Sequence, residues 1–219
     1  MIARSSGKIG DLIYGLPCAM ARGCHTLYLQ PGEWGDPRSV YDRLRPLLPD
    51  WQIQPTAFHL TLARDIIDLD AFRKCPRLFQ QHFMISHAEM TGTSYSDAYG
   101  QPWIHVEPEH AHKVIVSRGF NTRGAFPFPF SVMRDWSDVG FVGTRLEYKD
   151  FCFNFPSIHA KFVDAINLRE LAAVIAGSEI FVGNPSAPLA LAEAMGHPRI
   201  YIERGTAADG IFKGRGVNG

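Results

Sequence analysis

The sequence predicts an α/β protein in two halves, each with a strand that passes through a glycine turn into a helix. Short apolar stretches alternate with helix-like stretches toward both ends of the chain. The stretches SSGKIGD and VGNPSAP place glycine where a predicted strand gives way to a predicted helix. Near the carboxyl end the order strand, helix, strand, helix, strand indicates parallel pairing with right-handed crossovers. Ligands of such folds bind at the carboxyl ends of the strands.

The first half begins with a short strand at residues 2–4, followed by the first glycine turn and a helix at residues 11–21. A strand at residues 25–30 comes next, because its apolar and β-favouring residues are bounded by turn residues. A short helix is predicted at residues 39–48, with Ser39 as its N-cap.

The middle of the chain carries weaker patterns. Residues 71–90 predict one or two helical turns interrupted by Pro76, since proline cannot continue a helix. Residues 91–103 are polar and rich in turn formers, which predicts a loop or linker. We therefore place the boundary between the halves after residue 110.

The second half has a clearer alternation. The helix at residues 167–177 is well supported, because Leu168, Leu171 and Ile175 fall at helical spacing and Gly177 can end the helix. The elements predicted in this half are strands at residues 113–119, 139–144, 179–184 and 198–203 and helices at residues 145–155, 167–177 and 186–196.

The bulk composition excludes several classes of protein. Of the 219 residues, 46% are apolar and 20% are charged, and the 22 basic side chains balance the 22 acidic ones, so nucleic acid is not the expected partner. No apolar run reaches the roughly 18 residues of a membrane span, and the first residues do not form a secretory signal. The four cysteines form no CxxC pair, which predicts free, buried thiols and a cytoplasmic location.

The first glycine turn carries a single carboxylate, Asp11, at the start of the predicted helix. The turn GKIGDL lacks the spacing of the dinucleotide-binding motif GxGxxG. Asp11 has two interpretations that the residues alone leave open. It either stabilises the helix dipole, by about 0.3–1 kcal/mol, or acts as a general base that takes a proton from a hydroxyl group. We expect the dipole and nearby N–H groups to keep it ionised and to lower its pKa.

The second glycine turn is suited to an anion. Gly183 ends a strand, and Ser186 lies where its hydroxyl group either caps the next helix or contacts a phosphate oxygen. The start of a helix offers unpaired N–H groups and a positive dipole end, which favour phosphate.

Three further side chains are candidates for a donor site. Arg118 and Arg123 either neutralise a diphosphate or lie solvated on a loop. Glu193 either contacts a ribose or covers the surface of its helix. The histidines and acidic residues at 87–89 and 109–112 lack a matching second motif at metalloenzyme spacing, so no metal site is expected.

The stretches GKIGDLIYGLP, FVGTRLEYKDFC and LRELAAVIAGSEIFVGNPSAPLALAEAMGHPRIYIE resemble the ADP-heptose:lipopolysaccharide heptosyltransferase-like proteins of glycosyltransferase family nine. The chain looks like a short, divergent member, and residues 30–111 contribute little to the resemblance. The resemblance implies the GT-B fold, an α/β architecture in which two small Rossmann-like halves face a cleft. Residues 1–110 would then form the acceptor side, and residues 111–219 would bind a nucleotide-sugar.

The resemblance also implies roles for individual residues. Asp11 corresponds to the family's general base. Gly183, Asn184 and Ser186 correspond to the helix start that holds the donor diphosphate, and Gly10 is assigned to the same donor site. The implied function is a metal-independent glycosyltransferase that moves a sugar from a nucleotide-sugar to an acceptor hydroxyl, with no further cofactor. The acceptor stays open among a glycan, a protein, a small molecule and a modified DNA base.

The chain departs from the family in its second turn. The family usually has GNDSGPxHLA where this chain has GNPSAPLALA, so Pro185, Ala187 and Ala190 replace an aspartate, a glycine and a histidine. These replacements keep two alternatives open. One is a non-catalytic nucleotide- or glycan-binding protein, and the other is an enzyme similar to nucleotide-sugar epimerases.

Overall fold

The computed structural model describes residues 1–32, 36–60, 65–78, 81, 83–109, 112–119, 136–201 and 217–218. In these residues the strands form two separate parallel sheets, as the alternation of strands and helices predicted. The α/β fold class is therefore confirmed. No helix of the described residues is both long and apolar enough to cross a bilayer.

The first sheet belongs to the first third of the chain. Its strands are β1 (Ile2–Ser5), β2 (Thr26–Leu29), β3 (Gln52–Pro55) and β4 (Ile66–Asp68). They pair in parallel in the order β3-β2-β1-β4. The helices described on this side are α1 (Ile9–Ala21), α2 (Pro37–Leu44), α3 (Phe83–Thr91) and α4 (Tyr95–Tyr99), with a 3-10 turn at Ala71–Lys74.

The second sheet is larger and also fully parallel. Its strands are β5 (Val114–Ser117), β6 (Val139–Phe141), β7 (Lys161–Phe162), β8 (Ile180–Gly183), β9 (Arg199–Tyr201) and β10 (Val217–Asn218). Their order is β10-β9-β8-β5-β6-β7. The helices described between them are α5 (Arg145–Asn154), α6 (Leu168–Ala176) and α7 (Ala187–Ala194).

Two local predictions were wrong. Helix α2 begins at Pro37 because the Asp36 carboxylate accepts a hydrogen bond from the N–H of Ser39 at 3.0 Å, so Asp36 and not Ser39 is the N-cap. Residues 91–103 are not only a loop, since they contain α4. That helix is anchored by Tyr99, whose hydroxyl donates to the carbonyl of Tyr14 at 2.6 Å.

The two halves share apolar contacts. Helix α1 packs against α7, and one buried apolar cluster includes Leu12 and Leu16 of α1 together with Leu189 of α7. Pro17 lies inside α1 and has no N–H, so the carbonyl of Ile13 lacks its usual intrahelical donor. The indole N–H of Trp103 supplies that hydrogen bond, at 3.1 Å.

The segment before the predicted boundary lies along the second half. The backbone N–H of Trp103 donates to the carbonyl of Ala194 at 2.9 Å, and that of Glu109 donates to Ala173 at 2.9 Å. Trp103 therefore joins α1 to the end of α7. The boundary after residue 110 stays a prediction.

Candidate functional site

The two glycine turns lie against each other at the starts of their helices. A methyl group added to Gly10 would lie 3.5 Å from the backbone nitrogen of Ala187 and 3.6 Å from the carbonyl carbon of Ser186. These are ordinary van der Waals distances, so the first turn of α1 touches the first turn of α7. The two turns form one junction between the halves.

The strand order places this junction at a binding crevice. Strands β5 to β10 are the first to sixth strands of the second half. Across the sheet, from β7 to β10, they lie in the order 3-2-1-4-5-6, which is the Rossmann order. The order reverses between β5 and β8, and ligands of open α/β sheets bind outside the carboxyl ends of the strands at this point. Those ends are Ser117 and Gly183, which pair with each other.

Two cavities open here. The crevice cavity has a volume of about 220 Å³ and lies at the ends of β5 and β6 and the start of α7; its lining is Arg43, Ser117, Gly119, Val142, Gly143, Thr144, Glu147, Val163, Ala165, Leu171, Ser186, Ala187 and Pro188. The junction cavity has a volume of about 270 Å³, and its lining is Lys8, Ile9, Gly10, Ser39, Val40, Arg43 and Ala187. Arg43 and Ala187 line both, so the cavities adjoin.

Helix α7 begins without a side-chain cap. Ser186 occupies the N-cap position, but its hydroxyl group donates to the carbonyl of Asn184 at 2.8 Å and makes no capping hydrogen bond. The first N–H groups of a helix have no acceptor inside it, and Pro188 carries no N–H. The N–H groups of Ala187 and Leu189 therefore have no acceptor inside the helix, and of these two residues Ala187 lines the cavities.

Asn184 and Gly183 shape the turn and line neither cavity. Asn184 is buried, and its side-chain oxygen accepts a hydrogen bond from the N–H of Gly119 at 2.8 Å, which ties the end of β8 to the end of β5. A Cβ on Gly183 would lie 2.5 Å from the ring of Phe181, so packing against this ring requires a glycine there. Both residues position the crevice.

Asp11 lies in the first turn of α1 beside a counter-ion. Its side chain is 22% exposed and forms an ion pair with Arg73. Burial raises the pKa of the Asp11 carboxyl, against the lowering effects of Arg73 and Lys8. The expected lowering by the helix start was therefore wrong, because desolvation outweighs the nearby positive charges.

A second carboxylate holds the segment that follows β1. Asp70 accepts hydrogen bonds from the backbone N–H of Ser6 at 2.6 Å and from its hydroxyl at 2.8 Å. A methyl group on Gly7 would lie 2.9 Å from both Arg73 and Asp70. A larger residue at this position would therefore clash with these two side chains. The guanidinium of Arg73 also lies over the ring of Phe72, 4.5 Å from its centre.

Arg118 is not free to neutralise a diphosphate in this structure. Its guanidinium donates to the carboxylate of Asp150 at 2.8 Å and lies 5.3 Å from the centre of the Phe155 ring. It lines neither cavity. Arg123 lies outside the described residues.

Glu193 lies in the interior, which neither interpretation of the sequence anticipated. It is 7% exposed and forms an ion pair with Arg199, which is fully buried. Burial raises the pKa of the Glu193 carboxyl to about 7, against the lowering effect of Arg199. Glu193 is therefore the counter-ion of the buried Arg199, and it lines neither cavity.

The described residues contain no group of three or more histidine, cysteine or acidic side chains that could hold a metal ion. His87 is fully buried and stacks on Phe72, with 4.1 Å between the ring centres. Glu89 is engaged by Arg77 and by Gln81.

Sequence reasoning did not find Arg43, although it lines both cavities. It lies in the last turn of α2, in the first half. Helix α2 contacts α6 of the second half. Only this tertiary contact brings Arg43 to the crevice, and no local pattern marks it.

Comparison with known proteins supports the fold. No family model matches the sequence, and no curated protein matches it either. Among solved structures, a glycosyl transferase family 9 protein from Veillonella parvula superimposes with a TM-score of 0.64 at 10% identity, over 99% of this chain and 85% of that one. The heptosyltransferase WaaC from E. coli, in complex with ADP, gives 0.60 at 13% identity over 99% and 92%.

A third similar structure has a longer chain. It is the iron-containing dodecameric glycosyltransferase TibC from enterotoxigenic E. coli, with a TM-score of 0.58 at 12% identity. The comparison covers 99% of this chain, which spans 61% of the length of TibC. These solved structures are glycosyltransferases, including family 9 heptosyltransferases, and the chain shares with them a GT-B-like fold of two parallel sheets.

Proposed function

We propose that this chain is a glycosyltransferase of the family nine type, which transfers a sugar from a nucleotide-sugar to an acceptor hydroxyl. The observation that carries the proposal is the meeting of the two glycine turns at the crevice. The contact of Gly10 with Ser186 and Ala187 brings a carboxylate-bearing helix start beside an uncapped one. Solved structures with the same fold were obtained with ADP and with ADP-2-deoxy-2-fluoro heptose, which makes a nucleotide-sugar the donor to test first.

In the proposed reaction the donor lies in the crevice cavity, with its diphosphate at the N–H groups of Ala187 and Leu189. The carboxylate of Asp11 takes the proton of the acceptor hydroxyl. The acceptor oxygen then forms a bond to the anomeric carbon of the sugar. The bond from that carbon to the diphosphate oxygen breaks, and its electron pair leaves with the nucleoside diphosphate. Helix-start N–H groups offset the charge that builds on this leaving group.

Burial favours Asp11 as the proton acceptor. A carboxyl with a raised pKa is a stronger base than an exposed one, provided that it is ionised before the reaction. The ion pair with Arg73 preserves the ionised form. Burial and Arg73 thus act in opposite directions on the pKa, and together they keep an ionised carboxylate in a partly desolvated site.

A second candidate function has its own support. Pro185, Ala187 and Ala190 replace the acidic, glycine and histidine residues usual in the resembled family. A chain without these groups in the donor turn could bind a nucleotide or a glycan without catalysing transfer. A nucleotide-sugar epimerase-like enzyme is the third candidate, since it would use the same cleft.

The test is a turnover assay with a panel of nucleotide-sugars, with and without candidate acceptors. We expect one donor to release its nucleoside diphosphate in an acceptor-dependent way, with a glycosylated product detected by mass spectrometry. Treatment with a chelator should leave the rate unchanged, since the proposal assigns no step to a metal ion. Binding without turnover would favour the non-catalytic candidate, and an isomerised donor would favour the epimerase-like one.

A further inference from the structure

The crevice cavity has few charged side chains in its lining. Among the described residues that line it, Arg43 and Glu147 are the charged ones. The carboxylate of Glu147 accepts hydrogen bonds from the N–H and the hydroxyl of Thr144, both at 2.8 Å, in the capping box that begins α5. Arg43 is therefore the cation of this lining.

Three other cations of the described residues lie near the crevice but not in its lining. Arg118 pairs with Asp150, and Arg73 pairs with Asp11. Lys8 lines the junction cavity but not the crevice cavity. Of the described cations, Arg43 is the one that a diphosphate in the crevice cavity would contact.

Arg43 is exposed and forms no ion pair or side-chain hydrogen bond with another described residue. An arginine that is not held by a counter-ion can offer its planar N–H groups to two oxygens of one anion. It also lies where the two cavities adjoin, beside Ala187 at the start of α7. The donor diphosphate of the proposed reaction belongs at this position.

We propose that Arg43 binds the donor diphosphate from the facing half, as a donor-binding and leaving-group-stabilising residue. This inference rests on the proposed function. The guanidinium donates hydrogen bonds to phosphate oxygens, and it offsets the negative charge that moves onto the diphosphate when the bond to the sugar breaks. The second turn of this chain has no charged side chain, so the positive charge for its ligand comes from α2 of the other half. Donor binding then joins the two halves through one side chain.

The test compares Arg43→Gln with Arg38→Gln by isothermal titration calorimetry. Arg38 is exposed, lies on the same helix and lines neither cavity, so its variant is a matched loss of one charge. The probes are ADP, UDP and GDP, and the nucleoside of each is titrated separately for comparison. We expect Arg43→Gln to weaken binding of the preferred diphosphate by about 10- to 100-fold, as for a lost charge-assisted hydrogen bond, and to leave nucleoside binding unchanged. Arg43→Lys should retain part of the affinity, and the salt dependence of binding should be weaker in Arg43→Gln.

The outcomes separate this inference from the proposed function. Equal diphosphate affinities of the Arg43→Gln and Arg38→Gln variants would overturn the role of Arg43 and leave the proposed function standing. Equal loss of diphosphate and nucleoside binding would also overturn it, because Arg43 would then shape the cavity and not bind the diphosphate. If the parent protein binds none of the three diphosphates, the proposed function fails and the inference with it. Circular dichroism of both variants checks that they are folded.

Discussion

The two glycine turns have similar backbone roles but carry their charges in different places. In the first half, charge lies at the turn itself, in the ion pair of Asp11 with Arg73, and the fully buried His87 forms no ion pair with another described residue. In the second half, the turn is uncharged, and the charges are buried toward the far end of α7, in the pair of Glu193 with Arg199.

Under the proposed function, this difference gives the two halves different tasks. Proton transfer needs a side chain with an ionisable group, and the first turn provides Asp11. Anion binding at a helix start needs only N–H groups, and the second turn provides those of Ala187 and Leu189. In the proposed site, Arg43 of α2 adds positive charge to these N–H groups, because the second turn has no charged side chain of its own.

Loss of a charge inside the second half should destabilise the protein strongly. Glu193→Gln leaves the fully buried Arg199 without a counter-ion, so at pH 8 the free energy of unfolding should fall by about 3–5 kcal/mol. Urea denaturation measures it. Glu179→Gln is the control, because its ion pair with Lys113 is exposed and long, at 3.8 Å. Equal stability of the two variants would show that the buried pair does not stabilise the second half.

The next prediction concerns His87, which is buried in its neutral form in the first half. Burial lowers the pKa of His87 to about 3, from an ordinary value of 6.5, and Arg73 adds to this. As pH falls through 6.5 the unfolded chain binds a proton that folded His87 does not accept, so stability decreases until about pH 3. From pH 7.5 to pH 5 this group alone should cost about 2 kcal/mol.

Two variants isolate that effect. The His87→Leu variant should lose less stability than the parent over the same pH range, whereas loss of the exposed His105 in His105→Gln should leave the pH dependence unchanged. Urea denaturation at pH 7.5 and pH 5 gives both values. Parallel pH profiles of the parent and the His87→Leu variant would contradict the neutral burial of His87.

A smaller effect concerns the second turn. Ser186→Asp places a carboxylate at the start of α7, where aspartate is a good N-cap, so the stability of the protein should be unchanged or slightly higher. The same carboxylate should repel a diphosphate and weaken its binding by about 10-fold, as measured by calorimetry. Asn167→Asp is the charge control, because it adds one carboxylate at the start of α6, outside both cavities, although it also removes the hydrogen bond from the Asn167 amide to Glu170. Equal diphosphate affinity in both variants would place the phosphates elsewhere.

A helix was predictable from the sequence where its apolar spacing and its capping residues indicate the same ends. Helix α6 was predicted at residues 167–177 and spans Leu168–Ala176, because Asn167 caps it and Gly177 follows it. Strands β3 and β7 were missed because their residues are mostly exposed and show no apolar pattern. The segment around α4 was assigned to a loop because its turn-forming composition outweighed the aromatic contacts that only the folded chain reveals.

The site was predictable only in part, because some of its side chains are placed by contacts between elements that are distant in sequence. The sequence pointed to Asp11 and to the turn at Ser186, since both lie at recognisable strand-to-helix turns. It could not show that Arg118 is engaged by Asp150 or that Arg43 reaches the crevice, because these depend on how separate elements pack. A turn can be recognised from neighbouring residues in the sequence. The partner of a side chain cannot, because it often lies far away along the chain.

In the proposed reaction, Asp11 is the base at the junction of the two turns. The most direct measurement is the single-turnover rate of sugar transfer for the parent, for Asp11→Asn and for Asp97→Asn. Neither Asp11 nor Asp97 lines the two cavities, but Asp11 follows Gly10 at the contact between the turns. Asp97 occupies the same position in the first turn of α4 and is exposed, so its variant reports the loss of a helix-start carboxylate alone. We predict that Asp11→Asn slows transfer by about 100-fold or more with nearly unchanged diphosphate affinity, and that Asp97→Asn retains the parent rate. An Asp11→Asn variant that transfers sugar nearly as fast as the parent would contradict the claim and leave Asp11 as a helix-start residue.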